Sequence, residues 1–173
     1  PRAREMLDLN GLLKSTASLL TYDRRFSSIG VRLQLDKELP AIVGVADQLT
    51  QVFMNLLINA MDACASQGGQ KDCIVLISEP DGDRVHVCVQ DSGIGMSADT
   101  LEHVMETFYT TKPFGEGTGL GLSLCDTIVS AHGGELRIES EQGKGTQVHV
   151  YLPLDLASED LPGDEPIEDR RAM

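Results

Sequence analysis

The sequence predicts an α+β fold, a two-layer sandwich with helices covering one face of a mixed, largely antiparallel sheet. Three observations carry this. A stretch at 46–66 repeats its apolar residues at helical spacing, and two pairs of alternating segments read as hairpins. Helices and strands also fail to alternate regularly, as a purely parallel sheet would require.

Each element follows from local pattern. Residues 7–26, "LDLNGLLKSTASLLTYDRRF", space their leucines as an amphipathic helix, and "VRLQLD" (31–36) alternates as a strand. "CIVLISE" (73–79) and "RVHVCVQD" (84–91) flank "PDGD", a turn signal, so Val85, Val87 and Val89 share one face of a hairpin. Residues 92–117 are rich in Gly and Thr, with one short helix near 98–106. A loop of that length inside a domain is usually functional. "TGLGLSLCDTIVSAH" (118–132) reads as a helix with a glycine-rich first turn, ended by the "GG" that follows His132. "GELRIESEQGKGTQVHVYLPL" is a second hairpin turning at "EQGKG". The tail from 153 carries seven acidic and two basic residues and several prolines, and is expected to be poorly ordered.

Bulk properties narrow the function. At 173 residues the chain has the length of one domain, and no apolar run approaches the eighteen or so residues of a membrane span. With no initiator Met and no signal peptide, it reads as a fragment of a longer protein. The net charge of −13 argues against nucleic acid and anionic membranes as partners. Cys64, Cys73, Cys88 and Cys125 are widely spaced without a C-x-x-C pair, which favours reduced thiols used as small core residues.

The helix at 46–66 poses the sharper question. Gln51, Asn55, Asn59, Asp62 and Ser66 fall within an arc of about 80° at 100° per residue. A merely solvated face would carry Lys, Glu or Arg, whereas this one carries amides, and Asn is a poor helix former. Two nucleotide signatures are absent. The glycines at 115, 117, 119 and 121 alternate around Leu120 rather than forming G-x-G-x-x-G, and Lys144 is followed by Gly145 rather than Ser or Thr. Instead "DSGIG" (91–95) ends a strand and "GEGTGLGLS" (115–123) opens a helix, where backbone N–H groups and the helix dipole suit phosphate oxygens.

The ordered set of "N-x-x-x-N" helix, "DSGIG", "TFYTTK", "GTGLGLS" and "GKGT" resembles the catalytic ATP-binding domain of sensor histidine kinases, over residues 31–154. That superfamily also holds DNA gyrase, the heat-shock chaperones and the mismatch-repair ATPases. The resemblance implies a Bergerat-type sandwich binding ATP and Mg²⁺. It assigns Asp91 to the adenine amine, Gly93 and Gly95 to the adenine pocket, and Thr146 to the same end of the site. Gly117, Thr118, Gly119, Leu120 and Gly121 would lie against the phosphates. Residues between Gly95 and Gly117 would form a lid, with Phe108 as its apolar anchor and Lys112 near the γ-phosphate. The commoner lid has Pro and Phe where Thr107 and Tyr109 stand. Asn59 is the implied Mg²⁺ ligand, its carbonyl oxygen being a hard donor. At Asn55 hydrolytic relatives carry a glutamate; an amide is no general base, so the site would hold MgATP for a better nucleophile than water.

That nucleophile would be a histidine outside this chain. His86, His103, His132 and His149 lack the H-E/D-x-x-[TN]-P context of an acceptor and read as structural or surface residues. The expected organisation is a helical segment at 1–30 leaving an upstream dimerisation domain that bears the acceptor, a catalytic domain at 31–154 and an acidic tail at 155–173. The expected partners are that upstream domain and a response regulator receiver domain, in a homodimeric, cytoplasmic kinase region. The rivals are a hydrolytic ATPase of the same fold and a nucleotide-binding pseudokinase or scaffold. Asp62, where some relatives carry a basic residue, is left without a role.

Overall fold

The computed structural model describes residues 3–66, 73–106 and 121–154. Strand β1 (Glu5–Leu7) precedes helix α1 (Leu9–Thr21), then come β2 (Val31–Leu35), β3 (Ile42–Gly44) and helix α2 (Ala46–Ala65). The hairpin β4 (Ile74–Asp81) and β5 (Arg84–Asp91) leads to a short helix α3 (Ala98–His103). Helix α4 (Gly121–Ala131) and the hairpin β6 (Glu135–Glu141) and β7 (Gly145–Pro153) complete the described order. The main sheet runs β2-β4-β5-β7-β6, with β2 parallel to β4 and the other neighbours antiparallel.

Strand alternation sorts the two faces. Ile74, Leu76, Val85, Val87, Val89, Val148, Val150 and Leu152 point to one side and are buried. Against them pack Leu49, Val52, Phe53, Leu56, Leu57 and Met61 of α2, Leu9, Leu13 and Leu20 of α1, and Cys125, Ile128 and Val129 of α4. Each fully buried Leu, Val or Phe side chain contributes about 1.5–3 kcal/mol, so this layer dominates stability. Pro80 sits in β4 beyond the end of β2, whose last pair is Leu35 with Ser78, so its missing N–H breaks no bond to that strand.

Several expectations change. The first helix is shorter than 7–26: Asp8 caps it by accepting from the Gly11 N–H at 3.2 Å, and β1 precedes it. β1 pairs antiparallel with β3, a small sheet too short for alternation to reveal. Reduced thiols at all four cysteines are also corrected. Cys64 and Cys73 form a disulfide, their Cα atoms 6.2 Å apart because the end of α2 lies beside the start of β4. Cys88 and Cys125 remain buried free thiols. At the end of α4 the double glycine forms a complete Schellman cap: the Gly134 N–H donates to Val129 O and the Gly133 N–H to Ser130 O, both at 2.9 Å. Gly133 takes φ 73°, the left-handed conformation that cap demands. His132, just before it, is buried; its Nδ1–H donates to Ile128 O at 2.8 Å and its Nε2 accepts from the Val45 N–H at 3.0 Å. Both ring nitrogens are used in holding α4 to the start of α2.

Candidate nucleotide site

One row of α2 organises the site. Asn55, Asn59 and Ala63 follow at spacings of four, so they stack along one side of the helix. The Cys125 thiol of α4 donates to Val52 O of α2 at 3.6 Å, with the Asn55 side chain beside it. A Cβ on Gly121 would come 3.9 Å from Asn59 Nδ2, so Asn59 faces the first described turn of α4. Ala63 packs on Gly93, where an added Cβ would lie 2.6 Å from the Ala63 carbonyl carbon. Contacts at 55–125 and 59–121 run in opposite directions, so α4 is antiparallel to α2 and its glycine-rich start points toward Gly93. The half-buried asparagines thus lie between packed helices, which explains amides where a solvent face would carry charge.

Asp91, Gly93, Gly95 and Thr146, the residues expected at the adenine end, converge at one end of the sheet. Asp91 closes β5, is 7% exposed, and stands directly opposite Thr146 of β7. Its Oδ1 accepts from the Gly93 N–H at 2.9 Å, and the Thr146 N–H is a second backbone donor. Burial raises its pKa above the ordinary carboxylate value, and the two N–H bonds offset part of that rise. Gly95 has φ 65°, and a Cβ there would collide with the Glu141 carbonyl oxygen, so no other residue lets the loop lie on the β6–β7 turn. The Gly143 N–H reaches Ile94 O at 2.7 Å from that turn.

Two contributors escaped sequence reasoning. Ser140 accepts from the Met96 N–H at 2.8 Å and donates to Gly145 O at 3.0 Å, while the Thr146 hydroxyl lies 2.8 Å away. Its inward register in β6 gives it this role, and an isolated Ser in a strand carries no such signal. Ile94, inside "DSGIG", is 44% exposed, an apolar surface beside Asp91 of the kind a flat ring can cover. The disulfide also belongs here, because the Ser92 N–H donates to Cys73 O at 3.0 Å and so ties the loop to the end of α2. Asp62 gains a neighbour: its charge acts on Arg25, which follows α1. Phe108, Lys112, Gly117, Thr118, Gly119 and Leu120 lie outside the described residues.

Known proteins place this geometry. Residues 44–156 match the sequence profile of the histidine kinase-, DNA gyrase B- and HSP90-like ATPases. The chain belongs to that ATPase family. Within the family, it is 36% identical over 161 residues to the sensor histidine kinase ZraS of Escherichia coli K12, covering 93% of this chain and 33% of ZraS. It is 38% identical over 154 residues to sporulation kinase E of Bacillus subtilis 168, covering 89% of this chain and 20% of that kinase. The chain therefore spans about a third or less of these relatives. Among solved structures it superposes on the catalytic domain of histidine kinase ThkA with a TM-score of 0.75 and 29% identity, covering 88% of this chain and 97% of that domain. It also superposes on full-length ShkA in complex with AMPPNP, with a TM-score of 0.75 and 26% identity, covering 88% of this chain and 31% of ShkA. The α+β sandwich with a mostly antiparallel sheet is the fold of these histidine kinase catalytic domains.

Proposed function

We propose that the chain is the ATP-binding catalytic domain, at 31–154, of a sensor histidine kinase, entered through a helical segment at 1–30 and followed by an acidic tail at 155–173. It transfers the γ-phosphoryl group to a histidine of an upstream dimerisation domain, for relay to a receiver domain. The observation that carries this is the α2 row: amides at Asn59 and Asn55 lie on the side of α2 toward α4, one and two helical turns from Ala63, which packs on Gly93 beside Asp91.

Asp91 accepts from the adenine amine, and Gly93 and Gly95 let the loop backbone lie against the ring. Thr146 holds Asp91 through its N–H. The segment Gly117, Thr118, Gly119, Leu120 and Gly121 supplies N–H groups to the phosphates, and Phe108 and Lys112 act from the lid. The donor chemistry fits Mg²⁺: Asn59 would hold it through a neutral, hard amide oxygen on a half-buried wall. Mg²⁺ neutralises charge on the phosphates when bound. Asn55 has no carboxylate with which to deprotonate water, so the domain orients ATP and leaves attack to the incoming imidazole. No described helix is long and apolar enough to cross a membrane.

Mixing this chain with its upstream helical domain and γ-labelled ATP tests the reading. Acid-labile, alkali-stable label on the helical domain is expected, and Asn59→Ala should abolish it. Vigorous free ATP hydrolysis would instead favour a hydrolytic ATPase, and MgATP binding without transfer a pseudokinase.

A further inference from the structure

The sheet face away from the helices carries a second, separate cluster. Glu79 of β4, His86 of β5, His149 of β7 and Glu139 of β6 form one continuous chain of contacts across four strands. Glu79 Oε1 lies 2.7 Å from His86 Nδ1, and His86 Nε2 lies 2.8 Å from His149 Nδ1. His149 Nε2 then lies 3.2 Å from Glu139 Oε2. Tyr151 lines one side, its ring 4.7 Å from that of His86. The imidazole side chains are 13% and 17% exposed, shielded but open to solution.

Two physical features mark this as more than surface decoration. Each carboxylate takes the outer nitrogen of one imidazole, which fixes the ring and leaves the inner nitrogens, His86 Nε2 and His149 Nδ1, facing each other. A carboxylate behind a histidine is the arrangement that orients and strengthens a metal ligand. Three hydrogen bonds along the chain also need three ring protons, whereas two neutral imidazoles carry two. The gap between the inner nitrogens is therefore filled either by a third ring proton or by a bound cation in its place.

The surrounding charges agree. Arg84 and Arg137 lie over the Tyr151 ring at 4.5 Å and 5.6 Å from its centroid, and both are neutralised by carboxylates, Arg84 by Asp81 at 3.2 Å and Glu135 at 3.5 Å, and Arg137 by Glu135 at 2.8 Å. Cys88, buried beside His149 in register, is pushed up to about 11 by burial and then by Glu139 and Glu79, so it stays a thiol in a locally negative field.

We propose that His86 Nε2 and His149 Nδ1 form a two-imidazole site for a borderline divalent transition metal such as Zn²⁺ or Ni²⁺, with Glu79 and Glu139 as its outer shell and water completing the coordination. Imidazole selects these ions over Mg²⁺ and Ca²⁺, so the site is chemically distinct from a Mg²⁺ site at Asn59. Zinc–nitrogen bonds near 2.0–2.1 Å in tetrahedral geometry separate two ligand nitrogens by about 3.3 Å. The 2.8 Å gap must then open by about 0.5 Å, which the broad χ2 preference of histidine permits.

Calorimetric titration of the chain with ZnCl₂ and NiCl₂, and with MgCl₂ as control, tests the site. One Zn²⁺ per chain is expected, with Mg²⁺ silent in the absence of nucleotide. His86→Gln and His149→Gln should each weaken Zn²⁺ at least tenfold, and Glu139→Gln by about 10–100-fold. Nucleotide affinity, set on the opposite face, should stay unchanged in His86→Gln and His149→Gln. Ring-nitrogen NMR of the unsubstituted chain gives an independent readout: Zn²⁺ should shift His86 Nε2 and His149 Nδ1 together. The exposed Asp99, Glu102 and His103 group on α3 is the competing locus. Shifts confined to His103, binding unaffected by either substitution, or a shared ring proton that persists at saturating Zn²⁺ would each overturn the proposal.

Discussion

Asp91 is a carboxylate kept from water at the end of β5, and its protonation should be readable in nucleotide binding. Burial raises its folded pKa above the unfolded value, so ionising it costs the fold stability as pH rises through that interval. The anion nevertheless makes the stronger, charge-assisted acceptor for an exocyclic amine, roughly twice a neutral bond. Affinity for an adenine nucleotide should therefore fall as pH is lowered through the Asp91 titration, beginning above the ordinary aspartate value of 3.8. Asp91→Asn should bind about 10–100-fold more weakly at neutral pH, from about 1.5–3 kcal/mol for a bond to a charged group. It should also lose that pH dependence. A fluorescent-nucleotide titration across pH checks both, and an equally pH-dependent Asn variant would refute the assignment. Asp91 was legible because "DSGIG" ends an alternating strand; Ser140, which braces Thr146 and Met96, was not, because only the register of β6 against β7 gives it meaning.

The long elements were the legible ones, and the junctions between elements were not. Helix α2 and both hairpins follow from periodicity and turn residues, since burial on one face imposes a repeat on the sequence. β1 and β3 offer three residues each, too few to display alternation. Their pairing is set instead by where α1 and α2 enter the core. The Cys64–Cys73 disulfide escaped for a related reason: wide spacing says nothing of two ends meeting in space. It closes a loop of sequence separation nine, for which chain-entropy reasoning gives about 2–3 kcal/mol. Reduction, or Cys64→Ser with Cys73→Ser, should lower the unfolding free energy by about that amount in urea titrations. Because the Ser92 N–H is held by Cys73 O, the same change should weaken nucleotide binding, whereas Cys88→Ala, on the opposite face, should not. Unaltered affinity after full reduction would show that the loop is braced sufficiently by Gly95 and the β6–β7 turn.

At the scale of the whole molecule, the two layers divide the labour. The helix-covered face holds both the core and the row Asn55–Asn59–Ala63, so the proposed nucleotide site is a consequence of how α4 and the "DSGIG" loop pack on α2. The family resemblance supplied the candidate residues, while the antiparallel meeting of α2 and α4 became visible only with coordinates, since it depends on which positions touch. Net charge adds a property that no single contact has. The chain carries −13, and MgATP is itself an anion, so their long-range interaction is repulsive. The donors proposed for the phosphates would act at short range and be little screened, while the diffuse repulsion is screened over a Debye length of about 10 Å at 0.1 M salt. Association should therefore accelerate with salt, opposite to a basic protein meeting the same ligand. Stopped-flow mixing with a fluorescent ATP analogue at low and moderate KCl, with Mg²⁺ fixed, should give a higher association rate at the higher salt and a nearly constant dissociation rate. A rate that falls with salt would mean that cations near the phosphates, Lys112 foremost, outweigh the net charge in guiding the nucleotide in.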